Sequence, residues 1–419
     1  MVRRAASVTI VRIGKTHTVR NDNNGRRAPA GGLKRWLSSR DRITAGRPDG
    51  LSGHTLRDVP IGIPASGVRR DRHGTGTSEG SRAGSIAVRA DRYWGASTQL
   101  SLRAGLPATD HLPERFHRCY GIVKKAAATA NGQAGRLPTW KAEAIATAAD
   151  DLIAGRLSDH FPLTVWQSGS GRETDTNVNE VLANRAIQLL GGAIGSRVPV
   201  DPTRDVNMGQ SLTGMFTSSL HIATVMELEE TLVPSVAALA RALDRASMAS
   251  LARRLRAALA RIDEAEGGLH EIVSGGAGGG PGMSEPDWRA MAASIARETG
   301  RPFVLSPGGH GDSGSLDTIV AAMSAVTGLA VALLDIAEPP VPTRGRADPD
   351  RNSSGRTALD AMAMVCIHVV GLDQVVANAG GRGNRAPRPL VVASVLNAIR
   401  TLGQACVPVR GIVAAAGRK

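Results

Sequence analysis

Two long apolar segments constrain the fold of this chain more than any other feature of its sequence. Residues 318–336 carry no charged side chain before Asp335, and residues 357–378 are similarly apolar but include Asp360, His368 and Asp373. Segments of this length approach that of a membrane-spanning helix. In lipid, however, those titratable side chains would each carry a large energetic cost. We therefore expect long helices that are buried in protein, and no membrane insertion.

The net charge of +14 over 419 residues is concentrated at the N-terminus. Residues 1–82 contain 17 Lys and Arg against 6 Asp and Glu, which leaves +3 for the other 337 residues. This first segment has no sustained hydrophobic periodicity, so we expect a largely disordered basic tail. Nucleic-acid binding is therefore a hypothesis about the tail alone, and no secretory or clear transit signal precedes it.

The three cysteines, Cys119, Cys366 and Cys406, are far apart and form no CxxC pair. They are typical of reduced thiols in a cytoplasmic protein. No metal-site spacing is present, so we expect neither a metal nor a cofactor. Outside the apolar segments, helical spacing predicts further helices over residues 114–130, 139–154, 215–245, 251–265 and 389–406. Only 3% of the residues are aromatic, which favours close-packed helices with small residues at their contacts.

The most specific stretch is residues 166–185, which read WQSGSGRETDTNVNEVLANR. Its turn, residues 168–171, has glycines that allow a ligand to approach the backbone closely. A helix follows, and the N–H groups and dipole at its start would favour an anion such as a dicarboxylate. A turn of this kind also occurs as an ordinary solvent-exposed loop before a surface helix, and the turn alone does not decide between the two.

The whole stretch resembles the class II fumarases of the aspartase/fumarase lyase superfamily, in which a segment of the form WQTGSGTxxNMNxNEVxANR lines the active site. Residues 92–99, RYWGASTQ, are similar to the family's WGAQTQ sequence, and residues 205–211, DVNMGQS, to its DVNxSQSSND. The resemblance covers about residues 84–411. It implies an all-α fold, a long-helix bundle with a helical N-terminal domain. It also implies a homotetramer, in which the apolar helices lie at the centre of the assembly.

The resemblance divides the chain into the basic tail, residues 1–82, a lyase N-terminal domain, residues 83–205, and a central long-helix domain, residues 206–411. We expect the last to be truncated, with the family's small C-terminal domain absent. The glycine-rich residues 275–282 stand where the family has a GGTAVGTGLN loop, and without the resemblance they would be equally typical of a plain linker.

The implied reaction is the hydration of fumarate to L-malate, in which a general base acts beside a carboxylate that becomes doubly negative. Ser168 and Ser170 lie in the substrate-binding turn, while Arg172 replaces the threonine that follows it in the family. Thr213 stands where SSND has its asparagine, and it cannot offer an amide. Asn177, Asn179 and Glu180 match the family pattern, and we expect the last two to stabilise structure.

Three other catalytic elements depart further from the family. The secondary anion site HPNDD is DPTRD at residues 201–205, without its histidine and asparagine. The Thr-His pair of GRTHLQDA is missing, because about thirty residues are absent between Ala246 and Arg253. We expect His270, the nearest downstream histidine, to be a structural or surface residue. The mobile loop GSSIMPGKVNP is reduced to residues 350–357, DRNSSGRT.

Within that shortened loop Ser353 falls on the catalytic base, Ser354 follows it, and Arg356 is the candidate replacement for the substrate-binding lysine. Two hypotheses follow. The chain is a fumarase whose activity is impaired or lost, or it is a catalytically inactive paralogue that binds a dicarboxylate or another subunit. The residues favour the loss of turnover, because each missing group costs about 10²–10⁴-fold in rate.

Overall fold

The structure is a computed structural model that describes residues 8–12, 15–19, 76–81, 84–104, 107–274, 282–307, 315–337 and 353–416. Eleven α-helices account for most of these residues, which confirms the predicted all-α class. They are α1 Ala96–Leu102, α2 Glu114–Gln133, α3 Thr139–Ile153, α4 Arg172–Leu189, α5 Leu212–Glu227, α6 Val233–Arg245, α7 Ala249–Glu266, α8 Glu285–Thr299, α9 Asp317–Ala337, α10 Ser353–Gly380 and α11 Arg388–Ala416.

Short strands accompany the helices in three pairs. Strand β1, Val8–Arg12, pairs antiparallel with β2, Lys15–Val19, and β3, Gly76–Ser81, pairs antiparallel with β4, Gly84–Arg89. A two-residue parallel pair joins β5, Glu271–Ile272, to β6, Val304–Leu305. The expected disordered tail thus contains described strands, and the boundary expected after residue 82 falls between the end of β3 and the start of β4. The rest of that segment lies outside the described residues.

The N-terminal helices form one packed layer. Helices α2 and α3 make a hairpin, α4 packs on α3, and α5 and α8 pack on α2. The contacts are close because they use small residues: a Cβ added at Gly121 of α2 would lie 3.2 Å from Leu152 and Ile153, and one at Gly132 would lie 2.8 Å from Ala142. This agrees with the small-residue packing expected from the composition.

The C-terminal helices form a ring around a common core. Each helix packs on the next in the order α6, α7, α9, α10 and α11, and α11 returns to α6. The helix predicted over residues 215–245 is interrupted by a single wider π turn, Leu228–Leu232, before Pro234. Gly403 of α11 packs against this turn, where an added Cβ would meet Thr231 at 3.1 Å.

Three of the described helices are long and apolar enough to cross a membrane by length and composition alone: Asp317–Ala337, Gly355–Gly380 and Arg388–Ala416. In the structure they pack on one another and, through α9 and α11, on the charged hairpin of α6 and α7. Of the three, α10 is the least buried, and its Met364 and Ile367 are 65% and 61% exposed. The glycine-rich residues 275–281 lie outside the described part.

Candidate functional site

The turn at residues 168–171 is fixed between the N-terminal ends of three helices. The backbone N–H of Arg388, at the start of α11, donates to the carbonyl oxygen of Gly169 at 2.9 Å. Gly171 has a φ of 75°, and a Cβ there would lie 2.4 Å from the ring of Phe216 in α5. Only glycine fits such a position without strain. The turn therefore lies against the starts of α4, α5 and α11 at once.

The buried face of α4 has a structural role. The Glu180 carboxylate accepts the backbone N–H groups of Gly95, Ser97 and Thr98 at 2.8, 2.9 and 3.1 Å, and the Thr98 hydroxyl at 2.6 Å. These are the unpaired donors at the start of α1, so Glu180 caps that helix from another element. Further along, Asn184 donates to the carbonyl oxygen of Tyr93 at 2.8 Å.

A buried ion pair lies beneath the turn. The Lys124 ammonium is fully buried, 3.1 Å from Asp175 Oδ1 and 2.7 Å from Asn207 Oδ1. Asp175 also accepts from the Tyr120 hydroxyl at 2.8 Å and from the Asn179 amide at 2.9 Å. Burial lowers the pKa of Lys124 against the opposing effect of Asp175, and burial raises the pKa of Tyr120. Asp175 stands where the family pattern has asparagine, so it supplies a charge that balances the lysine.

The two serines of the turn form a hydrogen-bonded chain with Glu173. The hydroxyl oxygens of Ser168 and Ser170 are 3.1 Å apart, and the Ser168 hydroxyl donates to the Glu173 carboxylate. The backbone N–H of Arg172 donates to Ser170 Oγ at 3.4 Å. The Arg172 side chain is exposed and forms no ion pair with any carboxylate in the described part of the chain. The sequence motif gave no indication that Glu173 would contact the serines.

A cavity of about 220 Å³ opens beside this chain of hydroxyls. Its polar lining includes Ser101, His111, Gln167, Ser168 and Glu173, and Trp166 contributes an exposed ring. The Gln167 amide oxygen accepts the backbone N–H and the hydroxyl of Thr174 at 3.0 and 2.8 Å, which holds its end of the cavity rigid. The site therefore combines a hydroxyl-lined wall with a space for a small polar molecule.

Thr213 lies in the first turn of α5 and is half-buried. The Ser211 hydroxyl caps this helix by accepting the backbone N–H of Gly214 at 3.1 Å. Because Phe216 of α5 contacts Gly171, the same helix end carries Thr213 and supports the serine turn. Among the described residues, Thr213 forms no hydrogen bond with Ser168 or Ser170.

Residues 201–205 are occupied by structural contacts. Asp201 Oδ1 accepts the backbone N–H groups of Thr203 and Arg204 at 2.9 and 2.8 Å, and Lys141 pairs with Asp205 at 2.7 Å. Burial alone would raise the pKa of Asp201. The backbone hydrogen bonds stabilise its charged form, and the pKa is lowered overall. The carboxylates of this segment thus cap a turn and pair with a lysine.

Ser353, Ser354 and Arg356 lie at the start of α10. The backbone of both serines is helical, and their side chains lie outside the described part. Arg356 is exposed, and its guanidinium lies 3.8 Å from Asp360 on the same helix. Helix α10 packs along α9 and α11. Within one chain, and among the described residues, these three residues form no hydrogen bond or ion pair with the serine turn.

The described helices α5, α6 and α7 supply no free histidine to the serine turn. Helices α6 and α7 form a hairpin joined by three residues, with Ser247 at a φ of 60° in the connection, and no histidine occurs between His221 and His270. His221 is buried, with Nδ1 2.9 Å from the carbonyl oxygen of Glu271 and Nε2 3.1 Å from the Thr318 hydroxyl. Both ring nitrogens are thus engaged in structural contacts, and burial lowers the pKa of His221.

The fold also brings together a cluster of three titratable side chains, which no sequence pattern predicted. The side-chain ligand atoms of Glu229, Glu266 and His270 lie within 4.8 Å of one another, and Arg301 forms an ion pair with Glu229. Burial and the neighbouring Glu229 raise the pKa of Glu266 to about 7. Glu229 lies in the π turn and Glu266 ends α7, so only the folded chain makes them neighbours.

Replacing Glu266 with glutamine is expected to stabilise the protein above neutral pH. The pKa of Glu266 is higher in the folded chain than its ordinary value of 4.5. Its contribution to stability is therefore complete below about pH 4.5 and is lost as the pH rises through about 7. Glu266→Gln should raise the free energy of unfolding by about 1–3 kcal/mol at pH 8 and by almost nothing at pH 4. Urea denaturation at both pH values measures this difference.

The matched control is Glu264→Gln, which removes the same charge from an exposed position on the same helix. We expect that change to leave stability within about 0.5 kcal/mol at both pH values. A Glu266→Gln effect that is independent of pH would show that Glu266 is ionised throughout.

Comparisons with known proteins agree with the fold. The family model described as Lyase matches residues 84–251. The class II fumarate hydratase of Methanosarcina acetivorans is 40% identical over 402 residues, covering 85% of this chain and 81% of that protein.

Two solved structures share the helical fold. The fumarate lyase:delta crystallin of Brucella melitensis, bound to cobalt, superposes with a TM-score of 0.73 at 24% identity, covering 80% of this chain and 83% of that one. The class II fumarase of Schistosoma mansoni gives 0.71 at 22% identity, with 78% and 82% covered. The sequence relationship and the shared fold lead to one conclusion: the chain belongs to the class II fumarate hydratase family of the fumarase/aspartase superfamily.

Proposed function

We propose that this chain binds four-carbon dicarboxylates at the serine turn, residues 168–171, and that its hydration of fumarate to L-malate is strongly reduced or lost. The family relationship supports the substrate class. The reduced activity rests on one observation above all, the three-residue connection between α6 and α7.

That connection stands where the family resemblance places the Thr-His segment. A hydratase needs a group that takes or supplies a proton at the substrate, held within hydrogen-bond reach of it. Here the chain turns directly from α6 into α7, and His221, the nearest preceding histidine, is engaged through both ring nitrogens. No histidine between α5 and the end of α7 is therefore free to assist the reaction.

The remaining binding groups are few. Ser168, Ser170 and Arg172 are the candidate contacts for one end of the ligand, and Thr213 lies on the adjoining helix end. In a multi-subunit site Ser353, as base, with Ser354 and Arg356, would come from a neighbouring copy. The family loop continues after its serines with Met-Pro-Gly-Lys-Val-Asn-Pro, and that portion is missing after Ser354. Without its lysine, less positive charge would surround the base than an activated serine requires. A working fumarase built on Ser353 is the second candidate function.

We further propose a homotetramer in the cytoplasm, with no cofactor. Large apolar side chains are exposed along the three long helices, with Val331 of α9 50% and Val407 of α11 49% exposed in addition to the two residues of α10. Large exposed apolar side chains on neighbouring helices support a protein interface. Self-association of these helices would cover it, as the family resemblance implies.

The test is an assay of fumarate consumption by ultraviolet absorbance, with purified full-length protein in excess. We expect turnover at least about a hundredfold below the usual range of enzyme rates, because several catalytic groups are missing together. Fumarate and L-malate should still raise the melting temperature, since binding needs only the turn and its neighbours. Light scattering on the same sample gives the mass of the assembly.

An active class II fumarase from a relative is the positive control. Turnover close to that enzyme, abolished by Ser353→Ala, would establish the second candidate and contradict the proposal. A melting curve that neither ligand shifts would contradict dicarboxylate binding, and a monomeric mass would contradict the tetramer.

A further inference from the structure

The hydrogen-bond chain at the serine turn determines what that turn can offer a ligand. A serine hydroxyl has one proton to donate and two lone pairs that accept. Ser168 donates its proton to the Glu173 carboxylate. In the 3.1 Å contact between the two hydroxyls, Ser170 must therefore be the donor and Ser168 the acceptor. Both hydroxyl protons are directed, in sequence, toward Glu173.

This arrangement opposes a carboxylate at the turn. A carboxylate is an acceptor only, and it needs donors that are free to turn toward it. Here the serines present lone pairs, and the Glu173 carboxylate is a negative charge at hydrogen-bonding distance from one of them. Like charges at this separation repel. A ligand hydroxyl can instead donate to Ser168, Ser170 or Glu173.

We propose that Glu173 is a specificity-determining residue of this turn, which selects a hydroxyl-bearing dicarboxylate over an unsaturated one. The inference rests on the proposed dicarboxylate site. L-Malate, with a hydroxyl group, matches the acceptors of the turn, while fumarate offers only carboxylates there. The exposed Arg172 guanidinium, next to the turn, is then the candidate partner for a carboxylate of either ligand. The adjoining cavity has room for a molecule of this size.

Two variants test the role of Glu173. Glu173→Gln removes the charge and keeps an acceptor for Ser168, and Glu173→Ala removes the acceptor as well, which frees the serine protons. In both full-length variants we expect fumarate to bind about tenfold tighter than in the wild type, the size expected for one like charge near a protein surface. L-Malate should gain less, so the malate-to-fumarate preference falls. Calorimetric titration with each ligand gives the affinities, and circular dichroism verifies the fold of each variant.

Glu143→Gln is the control, since it makes the same change in net charge at an exposed position of α3. It should change neither affinity. If fumarate affinity is unchanged in both Glu173 variants, or rises equally in the control, Glu173 does not set the preference. Wild-type protein that already binds fumarate as tightly as Glu173→Gln would overturn this inference while leaving the dicarboxylate site intact. Absence of binding in every variant would refute both.

Discussion

Replacing Lys124 with methionine is expected to lower the free energy of unfolding by about 3–5 kcal/mol, the cost of leaving one member of a buried ion pair without its partner. The Lys124 side chain is 0% exposed, and that of its partner Asp175 is 8% exposed. Methionine fills a similar volume, so the loss comes from the charge left on Asp175 and from the hydrogen bond to Asn207. Urea denaturation monitored by circular dichroism measures it.

The neighbouring residue on α2 supplies the control. Lys125 pairs with Asp150 and Glu298 but is 25% exposed, so Lys125→Met should cost at most about 1 kcal/mol. The double variant Lys124→Met/Asp175→Asn should lose less than the sum of its single changes, because neither buried charge is then left alone. Additive losses would show that the two groups do not stabilise each other.

The sequence predicts the helices well where local signals define them. Periodicity placed α2 and α3 within three residues of their observed ends. Helix α8 was missed, although Ser284 and Asp287 form a capping box, Pro286 lies in the first turn and Gly300 ends the helix with a φ of 67°. Those signals were present in the sequence and could have identified it.

The candidate site was less predictable, because its properties depend on side-chain contacts across the fold. The turn and its serines follow from the sequence motif. That Ser168 donates to Glu173 depends on the angle at which the turn enters α4, which Phe216 helps to fix. The proximity of Glu229 to Glu266 depends on how the π turn packs beside the end of α7. Neither contact has a sequence spacing that predicts it.

Replacing Gly171 with alanine is expected to cost about 2–4 kcal/mol, from a positive φ and from overpacking together. Its φ is 75°, and the added Cβ would lie 2.4 and 2.6 Å from two ring carbons of Phe216. That ring is fully buried and packs against Phe116, with 4.9 Å between ring centroids, so it cannot move aside easily. Displacing it would also shift the first turns of α5, which carry Thr213.

Gly191 separates the two contributions, because it follows the other end of α4 at a nearly identical φ of 73° and has no heavy atom within 4 Å of an added Cβ. Gly191→Ala should therefore show the backbone cost alone, about 1 kcal/mol. Melting temperatures and urea midpoints of the two variants give the difference, which measures how tightly the serine turn sits on α5. Equal losses would mean that the turn can lift from Phe216. The hydroxyl chain to Glu173 could not then be fixed by that packing, and the preference for a hydroxyl-bearing ligand would lose its structural basis.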